Sequence, residues 1–177
     1  MQFTYKFIVI TTLQTDRSII AVLATEREAE NDAFRLYLKK SNGKETDLLV
    51  QELNREIEPQ IDCTSCGACC KVLMINVKKA EAQNLASHLK ISETDFKNKY
   101  IEESQQGQLI INQMPCHFLE YSRCTVYEHR FTECREFPHL HRDNFKDRLF
   151  GTLIHYAMCP IIFNVVEALK TKTGFKQ

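Results

Sequence analysis

Apolar residues recur along the chain with a period that changes from segment to segment. Over residues 3–13 they alternate with polar ones, which predicts a short strand. Over residues 16–40 they recur every three to four positions with Glu and Arg between them, which predicts one helix that stops at residues 41–43, Ser-Asn-Gly. A second helix is predicted over residues 45–57, with Pro59 ending it. The side of this second helix that faces a core is expected to carry Leu48, Leu49, Leu53 and Ile57.

Shorter periodic runs follow in the middle of the chain. The apolar residues 72–75 predict a strand, and Asn76 is positioned to cap a helix over residues 78–90. Ser92 with Asp95 three positions later resembles a capping box, so a short helix with Phe96 and Tyr100 facing inward is expected there.

The last third of the chain alternates strand and turn signals before one more helix. A polar turn at Gly107 precedes the apolar residues 109–111, which predict a strand. Residues 116–127 are expected to form a further strand or the arm of a hairpin. Pro160 is in a favoured first position for a final helix.

Composition and charge narrow the classes of function. The 23 basic and 23 acidic side chains balance, so the basic excess of a general nucleic-acid binder is absent and no nucleic-acid partner is expected. The longest early apolar run, residues 7–10, falls far short of the roughly 20 residues of a membrane span. No cleavage site of a secretory signal follows it. We therefore expect a cytoplasmic protein without a membrane partner, in which reducing conditions favour thiolate ligands over disulfides.

All eight cysteines lie in residues 63–159, and four of them form the pattern C-x-x-C-x-x-C-C over residues 63–70. A two-residue spacer lets one tight turn direct two sulfurs at a metal about 2.3 Å away. Gly67 can adopt the positive φ that turns the following amides toward the thiolates. The Cα atoms of Cys69 and Cys70 are about 3.8 Å apart, below the range of about 4.4–6.8 Å that disulfides prefer. Cys70 is therefore expected to serve a second site or to be a free thiol.

The other four cysteines are dispersed along the chain: Cys116, Cys124, Cys134 and Cys159. Three closely spaced cysteines with a remote Cys-Pro resemble the ligation of a 4Fe–4S cluster. That comparison predicts a first ligand set of Cys63, Cys66, Cys69 and Cys159. The second set is then Cys70, Cys116, Cys124 and Cys134. A structural zinc ion also takes four cysteines, so the spacing leaves zinc and iron–sulfur both open.

Two other interpretations of the cysteines are less favoured. Disulfides are disfavoured by the missing secretory signal and by the adjacent pair. A cysteine nucleophile would need a base from the histidines His117, His129, His139, His141 and His155. A nucleophile does not need four thiols together, so metal binding is the favoured interpretation. His117 and the pair His139 and His141 are expected to be surface or packing residues.

The cysteine motifs resemble the CxxCxxCC family of zinc- or iron-chelating domains, the YkgJ type. The matching segments are CTSCGACC at 63–70, PCHFL at 115–119, CTVYEHR at 124–130 and CREFP at 134–138. The expected helix pair over residues 77–100 also matches the layout of the family. Phe131 stands where the family usually has proline after Arg130, a departure that affects a turn and no ligand.

The resemblance covers roughly residues 60–160 and implies metal binding without a defined reaction. A related cysteine cluster occurs in flagellin lysine N-methylases, so a protein-modifying enzyme is the alternative function. A third possibility is an interaction module that zinc merely folds.

A centre of four thiolates with zinc, or with a 4Fe–4S cluster, carries a net charge of about −2 that nearby cations offset. The candidate cations are Lys71, Arg123, Arg130 and Arg135.

Together these observations predict a small α+β fold in two parts. Residues 1–59 are expected to be an N-terminal helical extension that covers the next domain or binds a protein partner. Residues 60–177 are expected to be a metal-stapled cysteine-cluster domain that binds zinc or iron.

Overall fold

The computed structural model describes residues 12–176, which form two compact units. Residues 12–61 and 143–176 form one, here called the helical unit. Residues 62–142 form the other, here called the cysteine unit. Residues 143–176, which the sequence grouped with the cysteine domain, therefore pack with the N-terminal helices. The strand predicted over residues 3–13 lies outside the described residues, except for residues 12 and 13, which are in no regular element.

Helices and short strands together make an α+β fold, as predicted. The helices are α1 (Arg17–Glu26), α2 (Glu28–Lys39), α3 (Gly43–Ile57), α4 (Lys79–His88), α5 (Glu93–Tyr100), α6 (Thr132–Glu136), α7 (Phe145–Ile154) and α8 (Pro160–Lys172). The strands are β1 (Asn76–Val77), β2 (Ile101–Glu103), β3 (Leu109–Ile111), β4 (Leu119–Glu120) and β5 (Arg123–Cys124). Single 3-10 turns cover Glu58–Gln60, Cys69–Lys71 and Tyr127–His129.

The helix predicted over residues 16–40 is two helices, and this prediction was wrong at Arg27. Asp16 caps α1 by accepting the N–H groups of Ser18 and Ile19 at 2.8 and 3.3 Å. Arg27 then leaves helical geometry, with φ −100° and ψ 13°. Its guanidinium pairs with Glu167 of α8. Because the residues around Arg27 are polar, no apolar stripe holds a continuous helix against the core there.

The third helix begins at Gly43 because Asn42 accepts the N–H groups of Lys44 and Glu45 at 3.0 and 3.4 Å. Its buried side was predicted only in part. The buried residues are Thr46, Val50, Leu53, Asn54 and Ile57. Leu48, predicted to face inward, is 59 % exposed, because the spacing from Val50 to Leu53 and Ile57 turns it to the opposite side.

The core of the helical unit lies where α3 packs on α8 and α7 packs on α2 and α3. The final helix begins at Pro160, as predicted, and is buried on most of its sides through Ile161, Ile162, Phe163, Val165, Val166 and Leu169. Helix α7, which carries the buried residues Phe145 and Leu149, was not predicted from the sequence. Within residues 12–176, no helix is long and apolar enough to cross a membrane.

A network of charged, partly buried side chains surrounds Lys170 in the helical unit, and Lys170 itself is only 5 % exposed. Its Nζ lies 3.0 Å from Glu30 Oε1 and 2.7 Å from Glu167 Oε1. Glu167 also pairs with the guanidinium of Arg27 and accepts the hydroxyl of Tyr156 at 2.6 Å. The two cations and two carboxylates balance, which is what allows them to lie among apolar side chains.

Large apolar side chains are also exposed on the helical unit, among them Ile19, Val22, Leu36, Phe150 and Ile154. Binding of a protein partner by the N-terminal helices stays a prediction.

The cysteine unit is built around a three-stranded antiparallel sheet in the order β1-β3-β2. Strands β4 and β5 form a separate hairpin that pairs Leu119 with Cys124, as expected for residues 116–127. Its core consists of Ile75, Val77, Leu85, Ala86, Phe96, Ile101, Ile111, Phe118, Val126 and Phe131. Phe131, which departs from the family pattern, is thus a core residue and only 3 % exposed.

Some of the local structure predicted for this unit was confirmed and some was wrong. Ser92 caps α5 by accepting the N–H of Asp95 at 3.0 Å, and Gly107 has φ +76° before β3, as expected. The strand predicted over residues 72–75 was wrong, because pairing begins only at β1. Asn76 therefore lies in a strand and does not cap a helix. The N–H of Lys78, the N-cap residue of α4, is instead accepted by the carboxylate of Glu81 at 3.1 Å.

Candidate metal centre

The cysteine motif begins as an exposed loop. The carboxylate of Asp62 accepts the N–H and hydroxyl of Thr64 at 2.9 and 2.5 Å and the hydroxyl of Ser65 at 2.7 Å. These hydrogen bonds lower the pKa of Asp62 to about 2. The N–H of Cys66 lies 3.4 Å from the carbonyl of Cys63, which closes the first C-x-x-C turn. Cys63 is exposed and Cys66 half-buried.

The loop then passes under the β4–β5 hairpin at Gly67, which is buried and has φ +58°. A Cβ at this position would lie 2.6 Å from the carbonyl oxygen of Ser122 and 2.9 Å from Leu119 Cδ1. Two properties of glycine are therefore required here, the positive φ and the missing side chain. The contact positions the following Cys69 and Cys70 against the hairpin.

Replacing Gly67 with alanine should destabilise the cysteine unit by about 2–5 kcal/mol, from the left-handed backbone and the clash together. Gly107→Ala is a matched control, since Gly107 also has positive φ but an added Cβ would meet only Glu103 Oε1 at 3.9 Å. Urea unfolding measures the free energy of unfolding of both variants. An equal loss in the two variants would mean that the contact with Ser122 contributes nothing.

Three thiols approach one another where the 3-10 turn of Cys69–Lys71 meets the segment before β4. The N–H of Cys116 donates to the carbonyl of Cys70 at 2.8 Å. The Sγ atoms of Cys69 and Cys70 are 4.0 Å apart. Two sulfurs bound to one tetrahedral zinc ion at about 2.3 Å are about 3.8 Å apart. The adjacent pair is thus spaced as two thiolates of one zinc centre would be.

Two further thiols come from the hairpin and from α6. Cys124 ends β5 and Cys134 lies in α6, and both are half-buried and packed against the core of the unit. Five thiols, here called the thiol cluster, are close enough for the charge of one to raise the pKa of another: Cys69, Cys70, Cys116, Cys124 and Cys134.

Burial and mutual repulsion govern ionisation in the thiol cluster. A hydrogen bond with Cys70 lowers the pKa of Cys69 to about 7, and the same contact raises the pKa of Cys70. Burial raises the pKa of Cys116 and Cys124, and it raises the pKa of Cys134 to about 12. One proton leaves the adjacent pair readily, while the others are retained until a cation compensates the charge.

The start of α6, the helix that carries Cys134, is held by Glu81 of α4, a residue that was not predicted from the sequence. Glu81 Oε1 accepts the N–H and hydroxyl of Thr132 at 2.7 and 2.5 Å, which joins α4 to the first residue of α6. Partial burial opposes the charge of Glu81, but the hydrogen bonds from Thr132 outweigh it and keep the carboxyl pKa below its usual value. No sequence signal could have found this contact, since the partners are 51 residues apart.

Of the remaining predicted ligands, Cys159 lies in the helical unit as the N-cap residue of α8 and is buried. A ligand set that includes it, with Cys63 and Cys66, stays a prediction. Within residues 12–176, no three His, Cys, Asp or Glu side chains are arranged as a ready metal shell.

The histidines of the cysteine unit make packing contacts, as expected of His117. Its Nε2 lies 2.6 Å from Asn112 Oδ1, and its ring meets Tyr100 edge-on at 5.0 Å. His129 stacks on His88 with ring centroids 3.7 Å apart.

Among the four candidate cations, Arg130 has a charge that acts on three thiols of the cluster. The positive charge of Arg130 favours the thiolate forms of Cys69, Cys124 and Cys134 and so acts to lower their pKa values. The largest contribution to each pKa shift comes from elsewhere, from the hydrogen bond with Cys70 for Cys69 and from burial for the other two thiols. Two other cations face different partners. Lys71 Nζ is 3.5 Å from Ser122 Oγ, and Arg135 bonds to the carbonyl of Arg130 and to Thr132.

A donor set of five half-buried thiols with a neighbouring guanidinium suits a thiophilic metal ion. The comparison with known families agrees. Residues 62–153, just over half of the chain, match the CxxCxxCC family, described as "Putative zinc- or iron-chelating domain". The chain belongs to the CxxCxxCC family. The match to the CxxCxxCC domain includes every cysteine except Cys159. No curated protein and no solved structure matches the chain.

Proposed function

We propose that the CxxCxxCC domain binds one zinc ion through four of the five thiols of the thiol cluster. The 4.0 Å separation of the Cys69 and Cys70 sulfurs carries this proposal, because it fits two ligands of a single tetrahedral ion. Each thiolate of a 4Fe–4S cluster binds a different iron atom, so those sulfurs stand further apart. The short separation therefore supports zinc over an iron–sulfur cluster.

The role that best fits this centre is structural. The thiols come from three separate segments, the turn at Cys69–Lys71, the hairpin region and α6. Strands of two or three residues provide few ladder hydrogen bonds to hold these segments together. When bound, the ion would cross-link them, and four protein ligands would leave no position open for a substrate.

Metal analysis of protein purified without oxygen tests the proposal directly. We expect a colourless protein with about one zinc ion per chain. A brown protein with iron and acid-labile sulfide would replace the proposal by the iron–sulfur alternative, and a protein that binds neither metal would overturn metal binding altogether. Substitution with cobalt(II) adds a ligand count, because the intensity of its sulfur-to-metal charge-transfer bands grows with the number of thiolates.

A further inference from the structure

Arg130 lies between the 3-10 turn at Tyr127–His129 and α6, and both its side chain and its backbone make contacts. Its guanidinium carbon is 3.7 Å from the centroid of the Tyr127 ring, which fixes the plane of the group. Its carbonyl accepts a hydrogen bond from the guanidinium of Arg135. The Tyr127 ring therefore contacts the side chain, while Arg135 contacts the backbone of the same residue.

The Nε atom of Arg130 is buried without a hydrogen-bond partner among the described residues. A buried guanidinium N–H without an acceptor is unfavourable and rare in folded proteins. The same side chain acts electrostatically on Cys69, Cys124 and Cys134, which come from three different segments. The unpartnered donor therefore belongs to a side chain whose charge reaches these thiols, and thiols become strong acceptors once a metal ion displaces their protons.

We propose that Arg130 is a positioning residue of the metal centre, whose Nε–H donates to a metal-bound cysteine sulfur of the thiol cluster. This inference rests on the proposed zinc site. Four thiolates and one zinc ion carry a net charge of about −2, and a guanidinium against the sulfurs offsets part of it. The buried N–H of Arg130 then gains its acceptor when the metal ion binds, so the two interactions stabilise each other.

The test compares the zinc affinities of three variants with that of the wild type, by competition with a chromophoric chelator. Arg130→Met removes the charge and the donor, and we expect it to lower zinc affinity about 10–100-fold. Arg130→Lys keeps the charge and should recover part of that loss. Arg123→Met, which removes an exposed arginine of the hairpin, is the control and should bind zinc as the wild type does.

Cobalt spectra separate an electrostatic role from a merely structural one. A hydrogen bond to a bound sulfur lowers its electron density, so its loss in Arg130→Met should move the charge-transfer bands to lower energy. Arg123→Met should leave those bands in place.

The outcomes also separate this inference from the proposed function. If the wild type binds zinc and Arg130→Met matches it in affinity and cobalt spectrum, the role of Arg130 is refuted while the zinc site stands. If the wild type binds no metal, both fall. If Arg130→Met does not fold, Arg130→Leu decides by the same two measurements, because it also lacks the charge and every N–H donor, and a wild-type affinity and cobalt spectrum in that variant would refute the Nε donor.

Discussion

The Cys116→Ser variant should lose at least about 100-fold in zinc affinity, which corresponds to about 3 kcal/mol. Cys116 is a ligand in nearly every choice of four thiols from the thiol cluster. Serine keeps the backbone N–H that donates to Cys70 at 2.8 Å, so the local chain path should survive. The hydroxyl is a poor ligand for zinc compared with a thiolate, so a ligand set that includes Cys116 keeps only three of its four thiolates. Competition with a chromophoric chelator measures the affinity, and thermal unfolding with and without chelator measures the linked loss of stability.

The same variants test which cysteines belong to the centre. Cys159→Ser is the matched comparison, because Cys159 lies in the helical unit outside the family match. We expect it to keep its metal. A loss equal to that of Cys116→Ser would instead support the ligand set with Cys159 that the sequence suggested. A Cys116→Ser protein with the zinc affinity of the wild type would remove Cys116 from the ligand set and leave Cys69, Cys70, Cys124 and Cys134 as the four ligands.

Zinc should also be released as the pH falls, and the reason lies in the thiol pKa values. Burial raises the pKa of Cys116, Cys124 and Cys134, so these thiols are protonated in the metal-free protein near neutral pH. Binding must displace those protons, and acid therefore favours the metal-free form.

The second large effect is expected in the helical unit. Lys170→Met should destabilise the protein by about 3 kcal/mol, the lower end of the cost of breaking a buried ion pair. The variant leaves Glu30 without its cation, while Glu167 keeps Arg27 and the hydroxyl of Tyr156. Both carboxylates retain about a quarter of their exposure, which moderates the loss.

Urea unfolding checks this effect, with Lys172→Met as the control. Lys172 is in the last turn of the same helix but is half-exposed, so its replacement should change stability by less than about 0.5 kcal/mol. A Lys170→Met protein as stable as the wild type would mean that the apolar replacement compensates for the network, as happens for some buried ion pairs. The zinc content of the Lys170→Met variant is expected to equal that of the wild type.

The helix starts show how far sequence reasoning carried. Ser92 caps α5 as predicted, while Asp16 and Asn42, near the predicted ends of the helix over residues 16–40, also cap helices through hydrogen bonds to backbone groups two or three residues away. Such contacts need no tertiary partner, so caps and stops can be recognised from a few adjacent letters. The break at Arg27 could not, because its partner Glu167 is 140 residues away.

The thiol cluster shows the same division. The spacing of the cysteine motif and the segments around Cys116, Cys124 and Cys134 were enough to predict a metal-chelating domain, because ligand type and spacing are written in the chain itself. The sequence could not tell which sulfurs meet, which of four cations faces them, or that α8 packs with the N-terminal helices. Those outcomes depend on antiparallel strand pairing, on the close contact of Gly67 with Ser122 and on the packing of helices against one another. Each of these contacts joins residues that are far apart in the chain. The sequence by itself thus determined the chemistry of this protein, and only the tertiary structure decided its arrangement.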